Sequence, residues 1–161
     1  MKKSIGKRTL DEFKERCKAF GLKITPQRIA IYQEVLNSSN HPSAEAIYKN
    51  IREAHPNISF DTVNRTLLTL AEMGFIQVVE GSGDVRRFDS NPEPHHHLRC
   101  NQCGAIIDFY HRKYDQLEIP KEIQGKFSVN KIRVVLEGIC SRCREKLIKE
   151  PAKSSLNNTR S

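Results

Sequence analysis

Apolar positions recur at intervals of three and four through the first half of the chain and run together or alternate in the second, which predicts helices followed by strands. Leu10, Phe13 and Cys17 line one face of a first helix, opened by the capping box Thr9-x-x-Glu12 and running to about Phe20, where Gly21 ends it. Thr25 and Pro26, an N-cap and a first-turn proline, open a second helix carrying Ile29, Ile31, Tyr32, Val35 and Leu36 until the polar run 37–40 closes it. His41-Pro42-Ser43 is expected to be extended, because proline restricts the residue before it. Ser43 then caps a third helix with Ala46, Ile47 and Ile51, ended by Pro56. Ser59 caps a fourth, to about Met73, with Phe60, Val63, Leu67 and Leu70 on its apolar face and Asp61, Thr62, Asn64, Arg65 and Thr66 on the other. Gly74 is its stop.

Beyond Gly74 the pattern changes to β-prone runs over 75–80 and 85–88, joined by Gly81-Ser82-Gly83-Asp84, which reads as a hairpin. Helices followed by such a hairpin predict a winged helix-turn-helix. The fourth helix would enter the major groove, and the hairpin would be the wing, with Arg86 and Arg87 near phosphates. The alternative is a helical packing module whose polar face is only solvated. Residues 89–94, with Pro92 and Pro94, form a hinge between domains 1–88 and 95–149. The second domain is expected to hold a strand over 105–110, a short helix near Tyr114 to Glu122 and a long β-prone run from Phe127 to Ile139. Residues 150–161 have no apolar period and are expected to be disordered. The fold class is α+β.

Composition narrows the setting. No apolar run approaches the ~20 residues of a membrane span. The basic N-terminus lacks the apolar stretch of a signal peptide, which argues for the cytoplasm. Net charge is +8, and residues 1–28 hold nine Lys/Arg against three Asp/Glu, so most of the excess lies in the first segment. Nucleic acid is the partner this favours, against the plainer reading of a solvated basic face.

The candidate chemistry lies in one stretch, His95-His96-His97-Leu98-Arg99-Cys100-Asn101-Gln102-Cys103-Gly104. Cys100-x-x-Cys103 and Cys140-x-x-Cys143 together read as one four-thiolate zinc site, and the 36 residues between the pairs must fold as a subdomain to bring them together. Two redox-active pairs are the alternative, but neither has the βαβ surroundings of that chemistry. Cys17 reads as a buried thiol. If the histidine segment is extended, His95 and His97 point to one face and His96 to the other, so two of the three can bind one ion. The strand over 105–110 folds back past the cysteine turn and brings Asp108 toward them.

Taken together, His41-Pro42-Ser43-Ala44-Glu45-Ala46-Ile47-Tyr48, Thr62-Val63-Asn64-Arg65-Thr66-Leu67, Arg87-Phe88-Asp89, the histidine-rich cysteine turn and Cys140-x-x-Cys143 resemble the Fur family of metal-dependent transcriptional repressors. The resemblance covers about residues 9–147. It implies a winged-helix DNA-binding domain joined to a small α/β dimerisation domain, acting as a homodimer on near-palindromic double-stranded operators. The nearest subgroup is the peroxide-sensing, PerR-like one. Its regulatory metal is held by three histidines and two aspartates, which fall here on His41, Asp89, His95, His97 and Asp108.

Such a donor set suits Fe²⁺ or Mn²⁺ as well as Zn²⁺, whereas four thiolates hold structural Zn²⁺. By resemblance, peroxide reaching the iron would oxidise His41 or His95, and Lys23 and Arg65 match DNA-contacting positions. Asn64 stands where the family usually has tyrosine, so the operator is expected to differ. A second exchangeable site looks incomplete, since Asn130-Lys131 replaces an expected histidine and leaves only His96 and Asp115, which gives His96 a surface role. An iron-uptake or manganese-responsive repressor is the alternative input. A metalloenzyme is the alternative class, opposed by the lack of His-Glu-x-x-His or a nucleophile motif. Beyond the metal and peroxide, no small-molecule substrate is implied.

Overall fold

The structure, a computed structural model, describes residues 10–38, 40–80, 85–91 and 93–149. Thr9 of the expected capping box, the hairpin turn 81–84, Pro92 of the expected hinge and the expected tail 150–161 lie outside the described residues. The chain divides between Glu93 and Pro94 into two compact units.

In the first unit, α1 (Leu10–Ala19), α2 (Pro26–Asn37), α3 (Ala44–Ile51) and α4 (Phe60–Glu72) precede a hairpin of β1 (Gln77–Glu80) and β2 (Arg86–Asp89). The starts follow the caps. The hydroxyls of Thr25, Ser43 and Ser59 accept from the backbone N–H of Arg28, Ala46 and Thr62. The end of α4 follows its glycine. Gly74 has φ 70, and the N–H of Phe75 reaches back to the carbonyl of Leu70 at 2.9 Å. Arg16 of α1 locks that end, donating to the carbonyl of Met73 at 2.7 Å while its guanidinium lies 4.3 Å from the centre of the Phe75 ring.

The core is where the helical periods meet: Phe13, Cys17, Ile31, Tyr32, Val35, Ile47, Val63, Leu67, Leu70, Phe75 and Phe88 are buried together. Phe13 stacks on Tyr32 at 4.4 Å between ring centres. Each fully buried aliphatic side chain here contributes about 1.5–3 kcal/mol.

Several expectations change in this unit. The third helix stops at Ile51, before Pro56. On α4 the buried set is Val63, Thr66, Leu67 and Leu70, whereas Phe60 is 47% exposed. Position 60 begins the helix, ahead of its contact with the core, and the Phe60 ring meets the edge of Tyr48 instead. The run from Phe75 divides, with Phe75 and Ile76 filling the core before the strand begins at Gln77. Asp89, expected in the hinge, is the last residue of β2 and pairs with Gln77.

The second unit is a three-stranded sheet in the order β4–β3–β5, formed by β3 (His96–Cys100), β4 (Ile106–Phe109) and β5 (Val135–Gly138), with α5 (Arg112–Asp115) and α6 (Ser141–Lys149). β3 pairs antiparallel with β4 and parallel with β5. The parallel pairing requires the crossover over 110–134. The expected helix near 114–122 is the single turn Arg112–Asp115, and the expected long strand over 127–139 is limited to Val135–Gly138, because only those residues find ladder partners on β3. α6 has no counterpart in the sequence-based expectation. Its apolar residues Leu147 and Ile148 are 48% and 72% exposed, so no buried stripe announces it.

Candidate metal centres

Strand register builds the cysteine site. β3 ends at Cys100 opposite Gly138 of β5, and the N–H of Asn101 donates to the Gly138 carbonyl at 2.8 Å, which carries Cys140 to Cys100. Residues 101–103 turn, and Gly104, at φ 68, donates to the Cys100 carbonyl at 2.9 Å to close the turn. That reversal returns Cys103 to Cys100. Cys140 accepts through its carbonyl from the N–H of Arg144 at 2.9 Å as α6 starts, so Cys143 lies on the first turn of the helix.

The four Sγ atoms lie within 4.8 Å of one another. A tetrahedron of ~2.3 Å zinc–sulfur bonds has edges of about 3.8 Å, and the Sγ atoms of Cys103 and Cys140 are 3.8 Å apart. The residues fit a tetrahedral thiolate-bound ion. The N–H groups of Cys140 and then Cys103 hold the Cys100 thiol down to about 6, so its thiolate forms readily. Burial, followed by the neighbouring thiols, pushes Cys143 up to about 12, so it is the last to give up its proton to a metal. Cys17 is the buried thiol expected, 1% exposed, with burial pushing its pKa up.

In the first unit, the segment before α3 runs antiparallel beside β2. Ser43 bridges Arg87, and the carbonyl of Pro42 accepts from Phe88 N–H at 3.0 Å, so His41 falls opposite Asp89. The Nε2 of His41 lies 3.8 Å from Oδ1 of Asp89, and both residues are buried. His41 is not extended as expected. Its φ is 42, a left-handed conformation that costs on the order of 1 kcal/mol in an L-residue. Tertiary pairing outweighs the preference that the following proline imposes. Asp89 is anchored in turn, its Oδ1 accepting from Asn91 N–H at 2.7 Å.

In the second unit, β3 and β4 set the other donors. His97 is directly opposite Asp108 in the antiparallel register, and His95 is two residues before His97 on the same face. The Nε2 atoms of His95 and His97 are 2.9 Å apart, and each is 3.6 Å from Oδ1 of Asp108. Ligand bonds of about 2.1 Å at right angles put donor atoms roughly 3.0 Å apart. The two imidazoles already stand at that spacing, and the carboxylate is slightly wider.

The chain is similar to proteins of one family. The profile of the ferric uptake regulator family matches residues 19–137. The chain belongs to that family. It is 34% identical over 125 residues to the peroxide-responsive repressor PerR of Staphylococcus epidermidis, covering 78% of this chain and 83% of the relative. It is 33% identical over 126 residues to PerR of Staphylococcus aureus, covering 78% and 85%. Among solved structures it resembles the ferric uptake regulator Fur of Helicobacter pylori, with a TM-score of 0.68, 31% identity and coverage of 84% of this chain and 91% of that one. The Fur protein of Vibrio cholerae gives a TM-score of 0.63, 30% identity and coverage of 80% and 99%. As a Fur-family member, the chain is a metal-dependent DNA-binding repressor and not an enzyme. Among the described residues, no helix is long and apolar enough to cross a membrane.

Of the residues expected at DNA, Lys23, Arg65 and Arg86 are exposed, whereas Thr62 and Asn64 are half-buried. The Thr62 hydroxyl is 2.9 Å from that of Ser59, inside the helix cap. Arg87 is half-buried, and its Nη1 donates to the His41 carbonyl at 3.4 Å. Along β2 exposure falls from exposed Arg86 through half-buried Arg87 to buried Phe88 and Asp89.

His96 is the main correction among the Fur-family features. It is fully buried instead of lying at the surface. Its Nδ1 accepts from Val134 N–H at 3.3 Å, its Nε2 lies 3.2 Å from Oδ1 of Asp115, and Phe109 and Tyr114 pack around the ring. Among the described residues no third metal-ligating side chain joins His96 and Asp115. The alternation that separated His96 from its neighbours was legible in the sequence, but not what covers the opposite face. Replacing His96 with alanine is expected to destabilise the second unit by about 2–4 kcal/mol, from a lost acceptor and a cavity. A lower urea midpoint at unchanged slope would register it.

Proposed function

We propose that the chain represses transcription as a homodimer on near-palindromic double-stranded DNA and senses peroxide through a regulatory ion held by His41, Asp89, His95, His97 and Asp108. The observation that carries this reading is the donor set of the second unit, two imidazoles and a carboxylate converging from neighbouring strands. That combination suits Fe²⁺ or Mn²⁺ and leaves coordination positions open. The buried His41–Asp89 pair of the first unit supplies two more donors. An ion drawing on both sets would link metal occupancy to DNA binding by α4. The four cysteines hold structural Zn²⁺.

Dimerisation is supported by a row of side chains across the sheet of the second unit. Ile107, Leu98 and Leu136 are register neighbours on β4, β3 and β5 and are 49%, 38% and 41% exposed. A contiguous apolar row of this kind is costly in water and is relieved by a second copy. Lys23, Thr62, Asn64, Arg65, Arg86 and Arg87 are assigned to DNA.

Bound ferrous iron would activate peroxide beside the imidazoles, with the ring carbon oxidised and the peroxide reduced. In balance, one peroxide oxygen enters a ring C–H of His41 or His95 and the other leaves as water. An oxidised imidazole is a poorer donor, so the ion and then the DNA are released. Brief peroxide treatment of iron-loaded protein is expected to add the mass of one oxygen to the peptide containing His41 or His95 and to abolish its gel shift. Manganese-loaded protein is expected to show neither change. Unmodified peptides with DNA binding retained would favour the iron-uptake alternative, and absence of metal-dependent binding to any promoter would remove the repressor reading altogether.

A further inference from the structure

The exposed face of α4 carries an acid where a DNA-facing helix would be expected to avoid one. Asp61 and Arg65 are one turn apart, with Nη2 of Arg65 2.5 Å from Oδ2 of Asp61, and the two side chains are 69% and 77% exposed. As a helix-stabilising pair this contributes only about 0.3–0.5 kcal/mol. α4 already has its Ser59 cap and its buried face, so the fold does not require the pair. A carboxylate directed at a polyanion costs non-specific affinity, because the phosphates dominate that term.

What the pair does accomplish is geometric. An unrestrained arginine samples many rotamers, and ordering it on binding costs about 2 kcal/mol of side-chain entropy. With one Nη2 donor held by Asp61, four of the five guanidinium N–H groups remain, enough for a bidentate contact with O6 and N7 of guanine. Two neighbouring hydroxyls are already engaged. The Thr62 hydroxyl lies in the cap, and that of Thr69 donates to the Arg65 carbonyl at 3.0 Å.

We propose that Asp61 is a positioning residue for base readout, holding the Arg65 guanidinium so that its outer edge meets a guanine in each half-site while its own charge disfavours DNA lacking that base. The proposal rests on α4 being the recognition helix. Specificity thus gains twice, through a restrained donor on the right sequence and uncompensated repulsion on the wrong one.

The test is selection from a library of random-sequence duplexes by the full chain loaded with Mn²⁺, in wild-type, Asp61→Asn and Arg65→Ala forms, followed by titration of the selected and scrambled duplexes. Asp61→Asn is expected to bind scrambled duplex more tightly. It should also lower the selected-to-scrambled affinity ratio about tenfold and relax base preference at the same position as Arg65→Ala, with the melting temperature unchanged. A purely structural or purely electrostatic role would not be confined to one position. If Asp61→Asn shifts affinity for every duplex by one common factor, or relaxes no position, the proposal is overturned while the DNA reading stands. If Arg65→Ala also relaxes no position although wild type enriches a sequence, the assignment of α4 fails with it. Wild-type protein that enriches no sequence at all would overturn both.

Discussion

Cys140→Ser is expected to cost the second unit its fold, with zinc lost from the protein and the dimer converted to monomer. The unit has little else to hold it. Its buried apolar residues among those described are few, with Cys100, Ile106 and Cys143 the hydrophobic ones under a tenth exposed. The crossover over 110–134 must also be closed before β5 can pair with β3. A four-thiolate zinc site supplies about 10–16 kcal/mol of apparent binding energy in such small units, more than the few kcal/mol a sheet of three short strands retains by itself. Serine removes one ligand while keeping the backbone carbonyl that accepts from Arg144 N–H, so the expected loss comes from the thiolate alone. The row Ile107–Leu98–Leu136 loses its continuity when β5 detaches. Metal analysis, circular dichroism and light scattering read the three consequences separately. The first unit, with its own aromatic core, is expected to keep a cooperative melting transition. Retained zinc with native dimer mass would show that three thiolates suffice and that the site is not the staple.

Asp108→Ala is expected to leave both units folded and abolish metal-dependent DNA binding. Asp108 lies near the middle of β4, and its side chain is 26% exposed, so its removal leaves no large cavity. Its Oδ1 lies 3.6 Å from Nε2 of both His95 and His97, so its removal takes away the carboxylate that faces both imidazoles from the neighbouring strand. Loss of groups that merely orient a ligand costs about 10–100-fold in metal affinity, and loss of a direct donor costs more. At Mn²⁺ concentrations that saturate the wild type, the variant is therefore expected to give no gel shift, with urea unfolding within about 1 kcal/mol of wild type. The contrast with Cys140→Ser separates the two centres. Loss of DNA binding alone in both variants would erase the division between a structural and a regulatory site, and an unaffected Asp108→Ala would remove Asp108 from the ligand set.

Much of this arrangement was legible before the structure. The caps at Thr25, Ser43 and Ser59 and the stop at Gly74 are local chemistry, decided by which side chains satisfy the first N–H groups and which residue tolerates a positive φ. The cysteine spacing announced four thiolates, and alternation separated His95 and His97 from His96. The misplaced elements are those for which local signals say little. Phe60 is exposed and Thr66 buried, the reverse of the expectation, because which turns of α4 reach the core is set by tertiary packing that periodicity does not specify. The long β-prone run shortens to Val135–Gly138 because a strand exists only where a partner offers hydrogen bonds.

The sequence by itself determined which residues can ligate and where α2, α3 and α4 start, because those depend on side-chain chemistry and on neighbours three or four positions away. Only the tertiary structure decided which donors meet. The antiparallel register sets His97 against Asp108, the parallel register carries Cys140 to Cys100, and the edge contact beside β2 places His41 opposite Asp89 at the cost of a left-handed backbone. It also buried His96 against Asp115 and turned Arg87 toward the His41 carbonyl. These are pairings between residues far apart in the chain, and their free energy comes from surfaces that exist only once the strands have been brought together.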